Sequence, residues 1–194
     1  MAQTIAILQG HPDPAGGHLC NGLADAYEAG AAEAGKTVKR IDIAGLDFPL
    51  LRSKADYDAG DMPEVLRPAQ DAIGAADHIV LIYPLWLGTM PAVTKGFLEQ
   101  TLRPDFAVDK TGGRWPKGAL RGKSARIVVT MSMPKLAYRL FYGAHSLKSL
   151  ERSILNLCGI RPIRESLFGL VDGADEKTRK KWMEQMRLFG AQGL

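Results

Sequence analysis

Short, nearly continuous apolar segments alternate with longer segments of helical periodicity along the 194-residue chain. Continuous apolar runs are typical of parallel strands that are buried on both faces. They predict strands at residues 4–9, 78–83 and 125–130. Two further strands, which are less apolar, are predicted at residues 37–42 and within 163–171. The regular alternation indicates β-α-β units with right-handed crossovers.

Apolar residues at helical spacing predict the intervening helices. The first helix spans residues 19–34 and ends at Gly35, a residue suited to a helix C-terminus. The second is predicted over residues 63–75, because proline is tolerated in the first turn. Three more follow: one from near residue 91 with Val93, Phe97, Leu98 and Leu102 buried, one with a stripe of Leu147, Leu150, Ile154 and Leu157, and a last one containing Trp182, Met186 and Phe189. Residues 44–62 and 104–123 are predicted to be loops.

These elements predict an α/β fold with three layers, in which a five-stranded parallel sheet of order 2-1-3-4-5 carries helices on both faces. The length suits one domain and no shift in composition marks a linker, so residues 1–194 are expected to form a single domain. Ligands of such sheets bind beyond the carboxyl ends of the strands, where the strand order reverses. Loops 10–19, 84–90 and 130–146 are expected to meet at that point.

Charge and cysteine content narrow the classes of function. The net charge of +4 is small and scattered, so a nucleic-acid partner is not expected. Cys20 and Cys158 belong to no Cys/His cluster, so neither a metal site nor a disulfide scaffold is expected. Isolated cysteines, the absence of a signal-peptide pattern and the absence of an apolar run near ~20 residues favour a cytoplasmic protein that does not span a membrane.

The first loop is rich in glycine and leads into a helix. A helix N-terminus offers free N–H groups and partial positive charge to an anion, and glycines allow close backbone approach. His11 and His18 add side-chain donors. Neither GxGxxG nor a Walker A pattern is present. The loop is therefore either a phosphate site or an ordinary strand-to-helix turn.

The second and third loops are apolar and partly aromatic. Leu85, Trp86, Leu87 and Met90 form either a wall for a planar heterocycle or a hydrophobic plug between helices or subunits. The third loop leads to His145. Histidine donates hydrogen bonds and shuttles protons near neutral pH, but this position also suits a helix start without any chemistry.

Three segments carry a resemblance to a known family: HPDPAGG at residues 11–17, YPLWLGTMPAVTKGFLEQ at 83–100 and GAHSLKSLERSILNLCGI at 143–160. In this order they resemble the NAD(P)H quinone reductase family of flavodoxin-like proteins. The family includes quinone reductases, drug-activity modulators and ancillary flavoproteins of potassium efflux systems. The middle segment, with its aromatic loop followed by Pro-Ala-x-x-x-Lys-Gly-Phe, is the most specific.

The resemblance implies a flavin cofactor, NAD(P)H as the reductant and a homodimer. The short chain favours FMN, with FAD as the alternative. The flavin phosphate is implied to lie at the first loop, at His11, Gly17, His18, Leu19 and Cys20. The ring is implied to lie against Pro84, Leu85, Trp86, Leu87 and Gly88 of the second loop and against Thr130, Met131, Ser132 and Met133 of the third.

The implied activity is ping-pong, two-electron hydride transfer from NAD(P)H to a quinone or similar electrophilic acceptor. His145 matches the family histidine that stabilises charge on the reduced flavin, and either Tyr138 or Tyr142 matches the accompanying tyrosine. Three departures stand out: Gly17-His18 replaces a common Ser-Phe, the third loop lacks its two usual glycines, and Leu87 and Gly88 stand where many members carry aromatics. The alternative function is an ancillary or regulatory flavoprotein that binds a membrane transporter.

Overall fold

A computed structural model describes residues 3–109 and 117–194. The strands are β1 (Thr4–Gln9), β2 (Thr37–Asp42), β3 (His78–Pro84), β4 (Val108–Asp109), β5 (Lys117–Gly118), β6 (Ser124–Thr130) and β7 (Ile163–Phe168). The α-helices are α1 (Leu19–Glu33), α2 (Lys54–Ala59), α3 (Arg67–Ala75), α4 (Ala92–Thr101), α5 (Lys135–Leu140), α6 (His145–Ser149) and α7 (Glu176–Gln192). Residues 110–116 of the predicted loop 104–123 lie outside the described residues.

The five long strands form one parallel sheet in the order β2-β1-β3-β6-β7. This confirms the predicted order, since β6 and β7 are the fourth and fifth predicted strands. Gln9 pairs with Ile82, and Pro84 pairs with Thr130. The carboxyl ends of β1, β3 and β6 therefore lie together at one edge, from which the three loops start.

The sheet separates two hydrophobic cores. Alternate residues of β1 face opposite sides because side chains alternate along a strand. Leu8 packs into the core that contains Phe97 of α4, whereas Ile7 packs into the core that contains Tyr27 of α1 and Met186 of α7. Helices on both faces confirm the predicted three layers.

Helices α1 and α7 cross with almost no space between their backbones. A Cβ built at Gly30 would lie 1.9 Å from the carbonyl oxygen of Arg187, and one at Gly190 would lie 2.0 Å from that of Tyr27. Only glycine fits at either position. This contact fixes α1, whose N-terminus begins at the first loop, against the sheet.

Several short elements differ from the sequence prediction. Within the predicted loop 44–62, Ser53 caps α2 by accepting a hydrogen bond from the Asp56 amide at 3.0 Å. The predicted helix at 63–75 begins as a 3₁₀ turn, and α3 starts only at Arg67, where the next residue is a proline that needs no intrahelical N–H bond. A two-stranded hairpin of β4 and β5 and the helix α5 were also not predicted.

The predicted stripe of leucines along residues 147–157 is only partly correct. After α6 the chain continues as a π-helical turn over Leu150–Leu155, in which the Asn156 amide donates to the Glu151 carbonyl at 2.9 Å. An i→i+5 turn is wider than an α-helical one. Leu157 is therefore rotated off the core face and is exposed. None of the described helices is long and apolar enough to cross a membrane.

Candidate functional site

Short polar contacts connect the three loops at the carboxyl edge of the sheet. The Leu85 amide donates to the Thr130 carbonyl at 2.8 Å, which ties the second loop to the third. The Ser146 hydroxyl donates to the Thr89 hydroxyl at 3.0 Å. The Cys20 thiol lies 3.3 Å from the Thr130 hydroxyl and connects the start of α1 to the end of β6. The loops therefore converge as predicted.

The first loop begins with a tight approach to helix α4. The Gly10 amide donates to the Ile82 carbonyl at 2.7 Å, and the Gly10 carbonyl accepts from the Thr94 hydroxyl at 2.8 Å. A Cβ at residue 10 would lie 2.8 Å from Cγ2 of Thr94. The next amide, of His11, donates to the buried side chain of Gln9. The path of the loop is thus set by two buried polar side chains.

Two histidines of the first loop stack on each other. The rings of His11 and His18 have centroids 3.7 Å apart and planes inclined by 13°. Asp13 holds both rings: its carboxylate accepts from His18 Nε2 at 2.8 Å, and its amide donates to His11 Nδ1 at 3.2 Å. Burial, followed by the charge of His18, lowers the pKa of His11. Near neutral pH the stack therefore carries a neutral His11.

The start of α1 forms an open cradle for an anion. Gly16 and Gly17 have φ of +73° and +74°, values that L side chains rarely adopt, and a Cβ at either would meet none of the described atoms within 4 Å. His18 precedes the helix, whose first turn contains no acidic residue. Free N–H groups and the helix dipole favour an anion there. Gly17 and His18 both lie at this cradle, and their role in binding a phosphate stays a prediction.

Leu19 and Cys20 contribute to this cradle differently from His18. Leu19 is half-buried and Cys20 is buried, so their side chains point away from solvent while their amides lie in the first turn. Burial raises the pKa of the Cys20 thiol to about 11. The thiol therefore stays protonated and is not a nucleophile near neutral pH.

The second loop presents apolar side chains to solvent. Trp86 and Thr89 exchange backbone hydrogen bonds of 2.8 and 3.0 Å around Leu87 and Gly88. Both central residues have positive φ, 46° and 79°, which is the geometry of a two-residue type I′ turn. Trp86 is half exposed and Leu87 is fully exposed. The interpretation as a plug between helices of the same chain is therefore wrong for these two side chains. Pro84, by contrast, is buried at the end of β3.

An apolar cleft lies between the second loop and α6. It has a volume of about 470 Å³, which is within the range of small-molecule sites. Trp86, Leu87 and Met90 line one side, and Ser146 and Leu150 line the other. The His11 ring meets Trp86 edge-on, with centroids 6.2 Å apart, so the anion cradle and the apolar cleft are neighbours.

The residues of the third loop differ in how far they are exposed. Thr130 and Met131 are buried, and Met131 is fixed by backbone bonds: its amide donates to Phe168 at 2.8 Å and its carbonyl accepts from Val171 at 3.3 Å. Its side chain lies in the core and does not face the open edge. Ser132 is exposed and Met133 is half-buried. Of the two side chains that replace the family glycines, Ser132 therefore reaches outward, whereas Met133 packs against the core.

The candidate catalytic residues lie around the turn between α5 and α6. Ala144 has φ of 48°, and the ring of His145 lies over Gly143, where a Cβ would be 2.8 Å from Nε2. His145 is exposed beside Tyr142. Tyr138 is 1% exposed, and its hydroxyl accepts from the Leu147 amide at 3.3 Å. Burial raises the pKa of Tyr138. The catalytic role of each residue stays a prediction.

Four residues of the site were not identified from the sequence. Asp13 holds the histidine stack, Gln9 and Thr94 fix the loop, and Ser146 joins the second loop to α6. Asp13 could have been identified from the sequence, because it lies two residues after His11 in the same loop. Thr94 and Ser146 could not, since they meet the loops only through the tertiary fold.

A doubly wound parallel sheet with a helix N-terminus and an exposed apolar wall at its switch point defines an α/β protein of the class that binds ligands at this edge. The chain matches the family described by a flavodoxin-like fold over residues 3–188 and belongs to that family. It is 32% identical over 166 residues, 84% of this chain and 82% of the relative, to an uncharacterized NAD(P)H oxidoreductase of Haemophilus influenzae. The predicted family is thereby confirmed.

Solved structures agree with the fold. The chain is similar to the NAD(P)H:quinone oxidoreductase from Methanothermobacter marburgensis, with a TM-score of 0.83, 20% identity and 100% of both chains covered. It is also similar to an FMN-dependent NADH-azoreductase from Bacillus anthracis in complex with FMN, with a TM-score of 0.74, 13% identity and coverage of 98% of this chain and 99% of that chain. At these identities the two structures establish the fold alone.

Proposed function

We propose that the protein is an FMN-dependent NAD(P)H oxidoreductase that transfers two electrons to a quinone or similar electrophilic acceptor. One observation carries the proposal: an anion cradle at the start of α1 adjoins an exposed apolar wall at the same edge of the sheet. A flavin mononucleotide has a phosphate for the first and a planar ring for the second. The names of the relative and of the similar structures support the same activity.

The residues present fit the phosphate of FMN. Gly16 and Gly17 would leave space for it, and the amides of Leu19 and Cys20 in the first turn of α1 would donate to it, since the His18 amide already donates to the Asn21 side chain at 3.2 Å. The ring would lie against Trp86 and Leu87, with Ser132 and Met133 at its other border. When bound, the flavin supplies the two-electron chemistry, while the protein binds and orients the reactants.

His145 is proposed to donate a hydrogen bond to the ring edge that becomes negative on reduction. It is exposed at the same edge and is held by the turn at Gly143 and Ala144. Tyr142 is the tyrosine that is exposed beside it. Tyr138 acts instead as a positioning residue, because its buried hydroxyl holds the Leu147 amide at the start of α6.

NAD(P)H and the acceptor are proposed to occupy the 470 Å³ cleft in turn. Its lining is mostly apolar, which suits an aromatic acceptor, and one shared site implies ping-pong kinetics. The homodimer that the family resemblance implies is proposed to form on another face. There, Tyr57 and Leu157 are exposed around a second cleft of about 490 Å³ between the segment 51–57 and α4.

Flavin titration tests the assignment of the phosphate site. The protein is titrated with FMN and with riboflavin, which lacks the phosphate, and binding is followed by flavin fluorescence. His18→Ala is expected to weaken FMN by about tenfold, because it leaves the Asp13 carboxylate without its His18 partner beside the phosphate, and hydrogen bonds to charged groups are worth about 1.5–3 kcal/mol. The affinity for riboflavin should stay unchanged in this variant. The control Lys39→Ala, on the exposed edge strand β2, should leave the affinity for both ligands unchanged.

Steady-state kinetics test the activity. NADH or NADPH oxidation should require both FMN and a quinone, and double-reciprocal plots at several quinone concentrations should be parallel. In the flavin titration, equal affinity of the wild type for FMN and riboflavin would contradict the assignment of the phosphate site. Absence of quinone-dependent turnover by the FMN-loaded protein contradicts the proposed function.

A further inference from the structure

Exposed apolar side chains collect at one end of the molecule. Among residues 3–109 and 117–194, twelve large hydrophobic side chains are exposed. Seven of them lie on the segments that follow β3, β6 and β7: Trp86, Leu87, Leu136, Leu140, Phe141, Tyr142 and Leu170. Single exposed apolar residues are ordinary, whereas a contiguous group marks an interaction surface.

Four of these side chains belong to residues 136–142, which we name the apolar tip. Leu140 is 71% exposed and Phe141 is 87% exposed. The tip is not a loose loop, because Tyr138 in its middle is buried and bonded to the Leu147 amide. The fold therefore holds these apolar side chains outward.

A cationic cleft adjoins the apolar tip. It has a volume of about 450 Å³ between α6, the π-helical turn and the edge strand β7, and we name it the basic cleft. Four cations line it, Arg139, Lys148, Arg152 and Arg164, together with two acids, Glu151 and Glu165. Arg139 pairs with Glu165, which leaves three cations against Glu151.

The sequence around the tip is free of acidic residues. Residues 131–150 contain Lys135, Arg139 and Lys148 but no aspartate or glutamate, in a chain of net charge +4. A surface that combines an exposed apolar tip with an excess of two cations over acids in the basic cleft complements an anionic, partly apolar partner. Water and small anions can solvate the cations, but they do not cover the apolar side chains of the tip.

We propose that the apolar tip and the basic cleft together dock the protein on an anionic lipid membrane. Leu140 and Phe141 enter the boundary between headgroups and acyl chains, and the basic cleft faces the lipid phosphates. Interfacial segments of this kind bind through buried apolar area and through attraction of Lys and Arg to anionic lipid.

A second copy of the chain fits the same surface less well. A symmetric interface would bring two patches with the same excess of cations together, because both subunits contribute the identical surface. The membrane also explains the position of the surface beside the catalytic edge, since an apolar acceptor would then be supplied from the lipid. This last point alone rests on the proposed function.

Vesicle flotation of the 194-residue chain tests the docking. Vesicles of phosphatidylcholine with about one third phosphatidylglycerol are compared with pure phosphatidylcholine at low salt. Anionic vesicles should bind at least about tenfold more tightly, since each Lys or Arg near the surface contributes about a fivefold change. Flotation needs neither flavin nor turnover, so its failure is distinct from failure of the proposed function.

Two double variants and one control locate the surface. L140S/F141S should weaken binding at least about tenfold, because it removes the apolar groups that enter the lipid. K148Q/R152Q should abolish most of the preference for anionic vesicles. Leu188→Ser on α7, which removes an exposed apolar side chain outside the tip, should bind like the wild type.

Three outcomes overturn the proposal. In the first, the wild type fails to float with anionic vesicles. In the second, L140S/F141S floats as well as the wild type. In the third, the tip mediates self-association, so that L140S/F141S dissociates an oligomer while no variant binds lipid. Binding that requires a protein in the membrane counts against lipid docking in the same way.

Discussion

Replacing Gly10 with alanine tests the contact that sets the path of the first loop. A Cβ at this position would lie 2.8 Å from Cγ2 and 2.9 Å from Oγ1 of Thr94, and 3.1 Å from the Ile82 carbonyl oxygen. Thr94 is buried and β-branched, so its χ1 angle is restricted within the helix. It cannot turn away without losing its hydrogen bond to the Gly10 carbonyl.

The expected loss follows from overpacking a closed contact. Forcing a methyl group into a packed site costs about 1–3 kcal/mol of unfolding free energy. For a chain of this length each kcal/mol corresponds to about 2–4 °C in Tm. Thr94→Ala removes both of the closest atoms, so the double variant should lose less than the sum of the single variants, by about 1 kcal/mol or more.

Urea unfolding, followed by circular dichroism, measures these differences in the wild type, both single variants and the double variant. Gly45→Ala is the matched control, because its Cβ would meet none of the described atoms within 4 Å. It should stay within about 0.5 kcal/mol of the wild type. Additive losses in the double variant, or a Gly10→Ala protein as stable as the control, would refute the proposed contact.

Three further predictions concern titration, reactivity and catalysis. Burial lowers the pKa of His78 to about 4, so the folded protein keeps this side chain neutral at a pH where the unfolded chain already binds a proton. The unfolding free energy is therefore unaffected by His78 above about pH 6.5 and falls as the pH is lowered from there towards 4. Unfolding free energy should therefore fall by about 2 kcal/mol between about pH 8 and about pH 5, and His78→Asn should remove this part of the slope. Cys20 and Cys158 are buried with pKa values raised to about 11, so iodoacetamide should label them only after unfolding, as mass spectrometry would show. His145→Gln should lower kcat about a hundredfold in quinone-reductase assays while FMN affinity stays unchanged; an unchanged kcat would remove His145 from the mechanism.

Most of the sheet could be predicted because its three central strands, β1, β3 and β6, are largely apolar and buried. β3 is buried along its whole length, and its sequence is the most apolar of the chain. The elements that were not predicted are short, and they depend on contacts with other parts of the chain. α5 has six residues and is held by the buried Tyr138, and the exposure of Leu157 follows from a π-helical turn that the leucine spacing does not reveal.

The site could be predicted at the level of loops but not of side-chain direction. The strand order alone brings residues 10–19, 84–90 and 130–146 together. Whether Met131 faces the site or the core depends on its pairing with Phe168, which the sequence does not show. The stacking of His11 on His18 likewise depends on the path of the loop around Asp13. That the whole chain forms one domain stays a prediction.

The central claim is tested most directly by the visible spectrum of the FMN-reconstituted protein during addition of NADPH or NADH without air. The account predicts flavin absorption bands that bleach on addition of the nicotinamide and return when a quinone is added. A protein that takes up no flavin on reconstitution, or bound FMN that keeps its bands in the presence of excess NADH and NADPH, would contradict it.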